Sequence, residues 1–177
     1  MSTRTRDFIV DVLAVRPKLG AVLAPILADP SICKVLHGSD QDVLWLQKDF
    51  GLFLVNLFDT GIAARILGMP CGYAHLLSHF CNVTTDKRHQ LADWRMRPLS
   101  EPMLLYARVD THYLLYIADC LHAKLLAATS TSSHVDPVRP SLQIPLPVHG
   151  PQVCYFCQTS KIVQKLLDPV IMLLCCQ

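Results

Sequence analysis

The chain has 177 residues, of which 51% are hydrophobic and 17% charged, enough apolar material for the core of one ordinary domain. Its net charge of +2 is too small to draw nucleic acid by field alone, so any RNA or DNA binding must come from a local groove. No stretch approaches the roughly 18 consecutive apolar residues of a membrane span, and no long apolar run follows the first residues to make a secretory signal. Cys33, Cys71, Cys81 and Cys120 sit among apolar neighbours and read as reduced thiols of a cytosolic or nuclear protein rather than a disulfide frame.

Asp7 to Leu13 is a β-branched run and predicts a strand. Leu19 to Ala28 has helical spacing and stops at Asp29-Pro30, with Pro25 inside it. Cys33 to Leu36 is a short apolar run ending at His37-Gly38. Ser39 or Asp40 then caps a helix to about Phe50 that turns Val43, Leu44, Leu46 and Phe50 inward. Phe53 to Phe58 reads as a strand. Asp59-Thr60 caps a helix ending near Gly68-Met69-Pro70, and Ala74 to Cys81 is a shorter helix. Residues 83–99 form a charged, irregular stretch. One long helix is expected from Pro102, inside its first turn, to about Ala128. Strands alternating with helices predict an α/β domain with a partly parallel sheet.

From Thr129 the composition changes. Ser and Thr are followed by Pro137, Pro140, Pro145, Pro147 and Pro151, the pattern of a linker or disordered segment. The reading is therefore a domain over 1–128, a Pro/Ser-rich linker over 129–152 and an unassigned apolar tail over 153–177. Cys154 and Cys157, with His149, Cys175 and Cys176 around them, make a weak zinc pattern, because a second well-spaced pair is lacking.

Tyr106 and Asp110 lie four residues apart in a helix-like segment and so share a face. A tyrosine hydroxyl one turn from a carboxylate, facing a second carboxylate from elsewhere, is a way to hold a metal ion and aim a water. The segment from His37 to Leu52, which contains Asp42, resembles the second motif of the DEDD 3'-5' exonucleases. Gln90 to Leu99 resembles the approach to their third motif, and Tyr106 to His112 the third motif itself, with the Tyr-x3-Asp spacing of the DEDD-Y subgroup. The similarity covers about residues 2–121 and is strongest to the RNase D-like, exosome component 10 type.

The resemblance implies an RNase H-like exonuclease fold and two-metal hydrolysis of RNA 3' ends in RNA processing and degradation, with Mg2+ or Mn2+ as cofactor. It implies Asp42 and Asp110 as catalytic metal ligands, Tyr106 as the catalytic group orienting water, and Trp45 and Lys87 as RNA-binding positions. Single-stranded RNA 3' ends and nuclear exosome subunits are the implied partners, with no membrane, and the nucleus or nucleolus the implied compartment. The family's first motif, an Asp-x-Glu on the first strand, has no counterpart here, so a fold lacking its first strand or strands and impaired hydrolysis are expected. A second departure is Cys71-Gly72-Tyr73-Ala74, where the family usually has His-Ser-Leu. Alternative readings are an inactive paralogue that binds RNA or exosome partners, and an incomplete gene product.

Plainer roles remain open for the same residues. Asp42 suits a helix first turn through the dipole. Tyr106 and Asp110 could be a solvated helix pair. Trp45 could be core or a stacking platform for bases, and Lys87 a solvated charge or a phosphate contact. Trp94 is expected to pack with Arg95 and Arg97 exposed, Asp59 to act as an N-cap, and His112 to be a packed, hydrogen-bonded residue.

Overall fold

The computed structural model describes residues 1–129, apart from the side chain of Lys87. The linker, the tail and the cysteine pattern of the tail lie outside the described residues. Helix α1 spans Val12–Leu27, strand β1 Lys34–Leu36, α2 Asp40–Phe50 and strand β2 Leu57–Asp59. Helices α3 (Thr60–Ile66), α4 (Tyr73–Cys81), α5 (Glu101–His112) and α6 (Leu114–Thr129) follow. The two strands pair in parallel, with Lys34 opposite Leu57 and Leu36 opposite Asp59. The fold is α/β with a small open sheet, as in the core of an RNase H-like exonuclease.

The strand expected over Asp7 to Leu13 is not formed. Ser2 and Asp7 make an isolated antiparallel bridge, and Asp11 instead opens α1, accepting from the N–H groups of Leu13 and Ala14. The β-branched run is too short to override an aspartate placed to satisfy a helix N-terminus. α1 then runs through both Pro17 and Pro25, beyond the expected start at Leu19. The prolines cost about 3 kcal/mol each. Burial of Leu19, Leu23, Ile26 and Leu27 offsets this, at about 1.5–3 kcal/mol per side chain.

Leu19, Leu23 and Leu27 pack on Leu46 and Leu52, which joins α1 to α2. Within α2 only Leu46 is buried, and Leu44, expected inside, is exposed. Leu46 and Phe50 meet α1, which turns Leu44 away. β2 is shorter than the expected strand over Phe53 to Phe58, because Asn56 adopts φ 58°. That left-handed residue breaks the extended run and leaves Phe53 61% exposed.

The second core joins α3, α4 and α6 through Ala63, Ala64, Leu76, Leu77, Ile117 and Leu121. Val35 of β1 packs on Leu114, Leu115 and Ala118 of α6. The single long helix expected from Pro102 is two helices broken at Tyr113. Thr111 bonds Ser2, His112 bonds Asp7, and the Tyr113 ring is buried. These three tertiary attachments hold the chain off one continuous axis. The described cysteines are all free thiols.

Candidate active site

The turn after β1 is organised by Asp59. The register puts Asp59 beside Leu36, so its carboxylate reaches the turn leaving β1. Oδ1 accepts from the N–H groups of Gly38, Gly61 and Ile62 at 3.1, 2.8 and 3.1 Å. Oδ2 accepts from the N–H and the hydroxyl of Ser39, both at 2.7 Å. Gly38 has φ +63°, a left-handed turn that suits glycine. Burial alone would push the Asp59 carboxyl up, but these donors hold it below the ordinary carboxylate range. Asp59 is the expected N-cap of α3, and it also fixes the start of α2. Ser39 precedes α2 as its cap residue, but its hydroxyl is spent on Asp59 rather than on the helix.

Asp42 stands in the first turn of α2. Burial, and then the charge of Asp59, push its carboxyl up to about 6. Trp45, one position before Leu46, is 37% exposed and so is not a core residue. Tyr106 and Asp110 both lie on α5. The Tyr106 ring is 5.9 Å from that of Trp94 and 6.2 Å from that of His89, so the irregular segment wraps the phenol.

The His-Gly turn and α5 meet through Tyr73. The rings of His37 and Tyr73 are 5.2 Å apart, and the Tyr73 hydroxyl donates to the carbonyl of Val109 at 3.0 Å. Burial first, and then the charge of Asp110, raise the Tyr73 phenol well above its ordinary value. The N-terminal hook braces α5 from another direction. Asp7 accepts from Ser2 Oγ at 2.8 Å and Arg108 Nη2 at 3.2 Å, and lies 2.9 Å from His112 Nδ1. His112 is thus packed and hydrogen-bonded, as expected. Lys87 begins a short 3-10 turn, Lys87–His89. Its side chain lies outside the description. Arg88 and Arg95 pair with Asp86 and Asp93, and Arg97, expected only to be exposed, bonds Asp11 at the start of α1.

A family model described as 3'-5' exonuclease matches residues 1–126. The chain belongs to this 3'-5' exonuclease family. It is 55% identical to human "Exosome complex component 10" over 126 residues, covering 71% of this chain and 14% of the relative. It superposes on the catalytic core of RRP6 from Trypanosoma brucei with TM-score 0.70 and 52% identity, over 72% of this chain and 35% of that one. Escherichia coli RNase D, described as an exoribonuclease involved in structured RNA processing, gives TM-score 0.58 and 38% identity, over 60% and 29% of the two chains. The chain therefore spans about one seventh of the human relative's length. The family-level assignment is to the DEDD-Y exonucleases of the RNase D and exosome type.

Members of this family use divalent metal ions. Among the described residues, no group of three or more His, Cys, Asp or Glu side chains is placed to hold one. The expected ligands Asp42 and Asp110 are two carboxylates, whereas Mg2+ and Mn2+ ions are held by carboxylate oxygens and retained waters, and a two-ion centre has to hold a pair of them. The described donor set does not fit a two-ion centre.

The sequence reading missed three residues that position the motifs. Asp59 appeared only as a cap, although an acid at the end of one parallel strand is well placed to hold the turn leaving its neighbour. Tyr73 lay in the segment that departs from the family pattern. Asp7 was assigned to a strand, and its long-range partners leave no local signature.

Proposed function

We propose that this chain carries part of the catalytic centre of a 3'-5' exoribonuclease of the nuclear exosome type, and that by itself it hydrolyses RNA 3' ends poorly or not at all. The observation that carries the reading is the junction at Tyr73, which ties the turn opening α2, the helix of Asp42, to the Val109 carbonyl beside Asp110. In this reading Asp42 and Asp110 are metal ligands for Mg2+ or Mn2+, Tyr106 orients the attacking water, and Trp45 and Lys87 contact single-stranded RNA. A phenol with an ordinary pKa of about 10 suits holding a water better than removing its proton near pH 7. The name of the human relative supports exosome subunits as partners, and the nucleus is the compartment that the family resemblance implies. Within the described residues, no helix is long and apolar enough to cross a membrane.

The limited donor set favours impairment, and favours as a second reading a chain that binds RNA without cutting it. The test is purified chain with Mg2+ or Mn2+ and a 5'-labelled RNA bearing a 3' extension. The expected result is salt-dependent binding with little or no stepwise shortening. Rapid nucleotide release that disappears in Asp110→Asn would overturn the impairment and uphold the ligand role. Release that persists in Asp42→Asn and Asp110→Asn would overturn both.

A further inference from the structure

The described surface carries an apolar groove whose lining includes neither Tyr106 nor Asp110. It has a volume of about 460 Å³ and is lined by Leu44 of α2, Leu57 of β2, Ile62 and Ile66 of α3 and Leu125 of α6, with Ser39, Asp40 and Asp59 as its polar lining. Leu44, Ile62 and Ile66 are 56%, 46% and 69% exposed. Scattered apolar residues on a surface need no explanation, but three large ones gathered along one groove mark an interaction site. The volume falls within the range of about 300–1,000 Å³ typical of occupied pockets.

We propose that this groove is the docking site of the chain's own segment 161–174. Three observations select that occupant. Leu125 lines the groove, and the described structure stops one turn later, at Thr129, so the following chain leaves beside it. The 31 residues 130–160 lie between that point and the segment, a length of chain ample to reach the groove at up to about 3.3 Å per residue. Docking within one chain is intramolecular, so a modest contact suffices.

The segment also has the matching pattern. Ile162, Val163, Leu166 and Leu167 recur at helical spacing on one face, with Lys161 and Lys165 off that face and Pro169 ending the run. A two-turn apolar stripe fits a groove walled by helices, which is the helix-in-groove mode of recognition. The lysines flank that face and complement the acidic Asp40 and Asp59 of the lining. Helix α2, which forms one wall, also carries Asp42, so occupancy would brace the helix that holds the candidate ligand. The proposal does not depend on the exoribonuclease reading.

The test uses the full 177-residue chain with Ile66→benzoylphenylalanine, irradiated at low micromolar concentration and mapped by peptide mass spectrometry. Leu44→benzoylphenylalanine provides a second probe if the first perturbs folding, as judged by circular dichroism. The expected product is a crosslink within one chain to residues 161–174, reduced at least tenfold by Leu166→Asp combined with Leu167→Asp. Crosslinks joining two copies, crosslinks confined to residues 130–160, or no crosslink from either probe in folded chain would each overturn the proposal.

Discussion

The Tyr73 hydroxyl donates to the Val109 carbonyl at 3.0 Å, and that carbonyl is available because α5 ends just beyond it. In a continuous helix Val109 would accept from the N–H of Tyr113, but that N–H turns to Thr111 instead. The orphaned carbonyl is one of those every helix terminus must satisfy. Tyr73→Phe keeps the ring against His37 and removes only this bond. A loss of about 1 kcal/mol is expected in urea denaturation. Amide shifts in a two-dimensional NMR spectrum should change at both His37–Ser39 and Val109–Thr111. Changes confined to α4 would show that Tyr73 does not join the two segments.

Asp59 is the hub of the first turn, and its removal should be felt more strongly. Asp59→Ala leaves the N–H groups of Gly38, Ser39, Gly61 and Ile62 without their acceptor. Loss of the cap costs about 0.5–2 kcal/mol, and stranded buried donors cost about 1–3 kcal/mol each. A total loss of at least about 3 kcal/mol is expected from the urea midpoint on these figures. Asp59→Asn removes the charge and should lower the Asp42 pKa in an NMR titration, but only in part, because burial is the larger cause of its rise.

Asp42 and Asp7 act oppositely on pH dependence. The folded pKa of Asp42, about 6, lies above its ordinary value of about 3.9. The folded state holds this proton more tightly than the unfolded chain does. Its contribution therefore favours folding at low pH and declines as pH rises from about 4 through about 6. Burial alone would raise the Asp7 carboxyl, but hydrogen bonds from His112, Ser2 and Arg108 together with the nearby charge depress it. Its contribution is present above the ordinary carboxylate range and is lost as pH falls through the depressed value. Asp42→Asn should gain stability relative to the parent chain as pH is raised from 4 to 6, with a constant difference above pH 7. A difference that does not vary with pH in urea melts would refute the assignment.

What the sequence revealed depended on how local the causes were. The Asp59 cap, the helix after His37-Gly38, the helix before Cys81 and the acid-phenol spacing on α5 follow from neighbouring residues. The ends of β2 and the break at Tyr113 do not. Asn56 takes φ 58°, and its side chain donates to the Pro30 carbonyl at 3.0 Å, so a long-range bond decides where β2 begins. Asn56→Ala should lose about 1–2 kcal/mol, from left-handed strain and the missing bond. Asn56→Gly should lose less, because glycine keeps the conformation at no steric cost. Equal losses in denaturation would show that only the bond matters.

Asp7 is the strongest case of a distant cause. Arg108, Asp7 and His112 are nearly buried as side chains, with 10%, 8% and 11% exposure, and their partners lie about a hundred positions apart in the chain. Removing one member of a buried ionic group leaves the others desolvated without compensation, at a cost of about 3–5 kcal/mol. Asp7→Ala is expected to fall in that range. Arg108→Met removes the stranded cation, so the double variant should be less destabilised than the sum of the two single changes. The exposed pair Arg4–Asp119 serves as the control, and Asp119→Ala should cost less than about 1 kcal/mol. Because α5 carries Tyr106 and Asp110, hydrogen exchange across α5 should quicken in Asp7→Ala before the rest of the chain loosens. Additive single and double variants, or exchange that quickens uniformly, would show that Asp7 does not brace this helix.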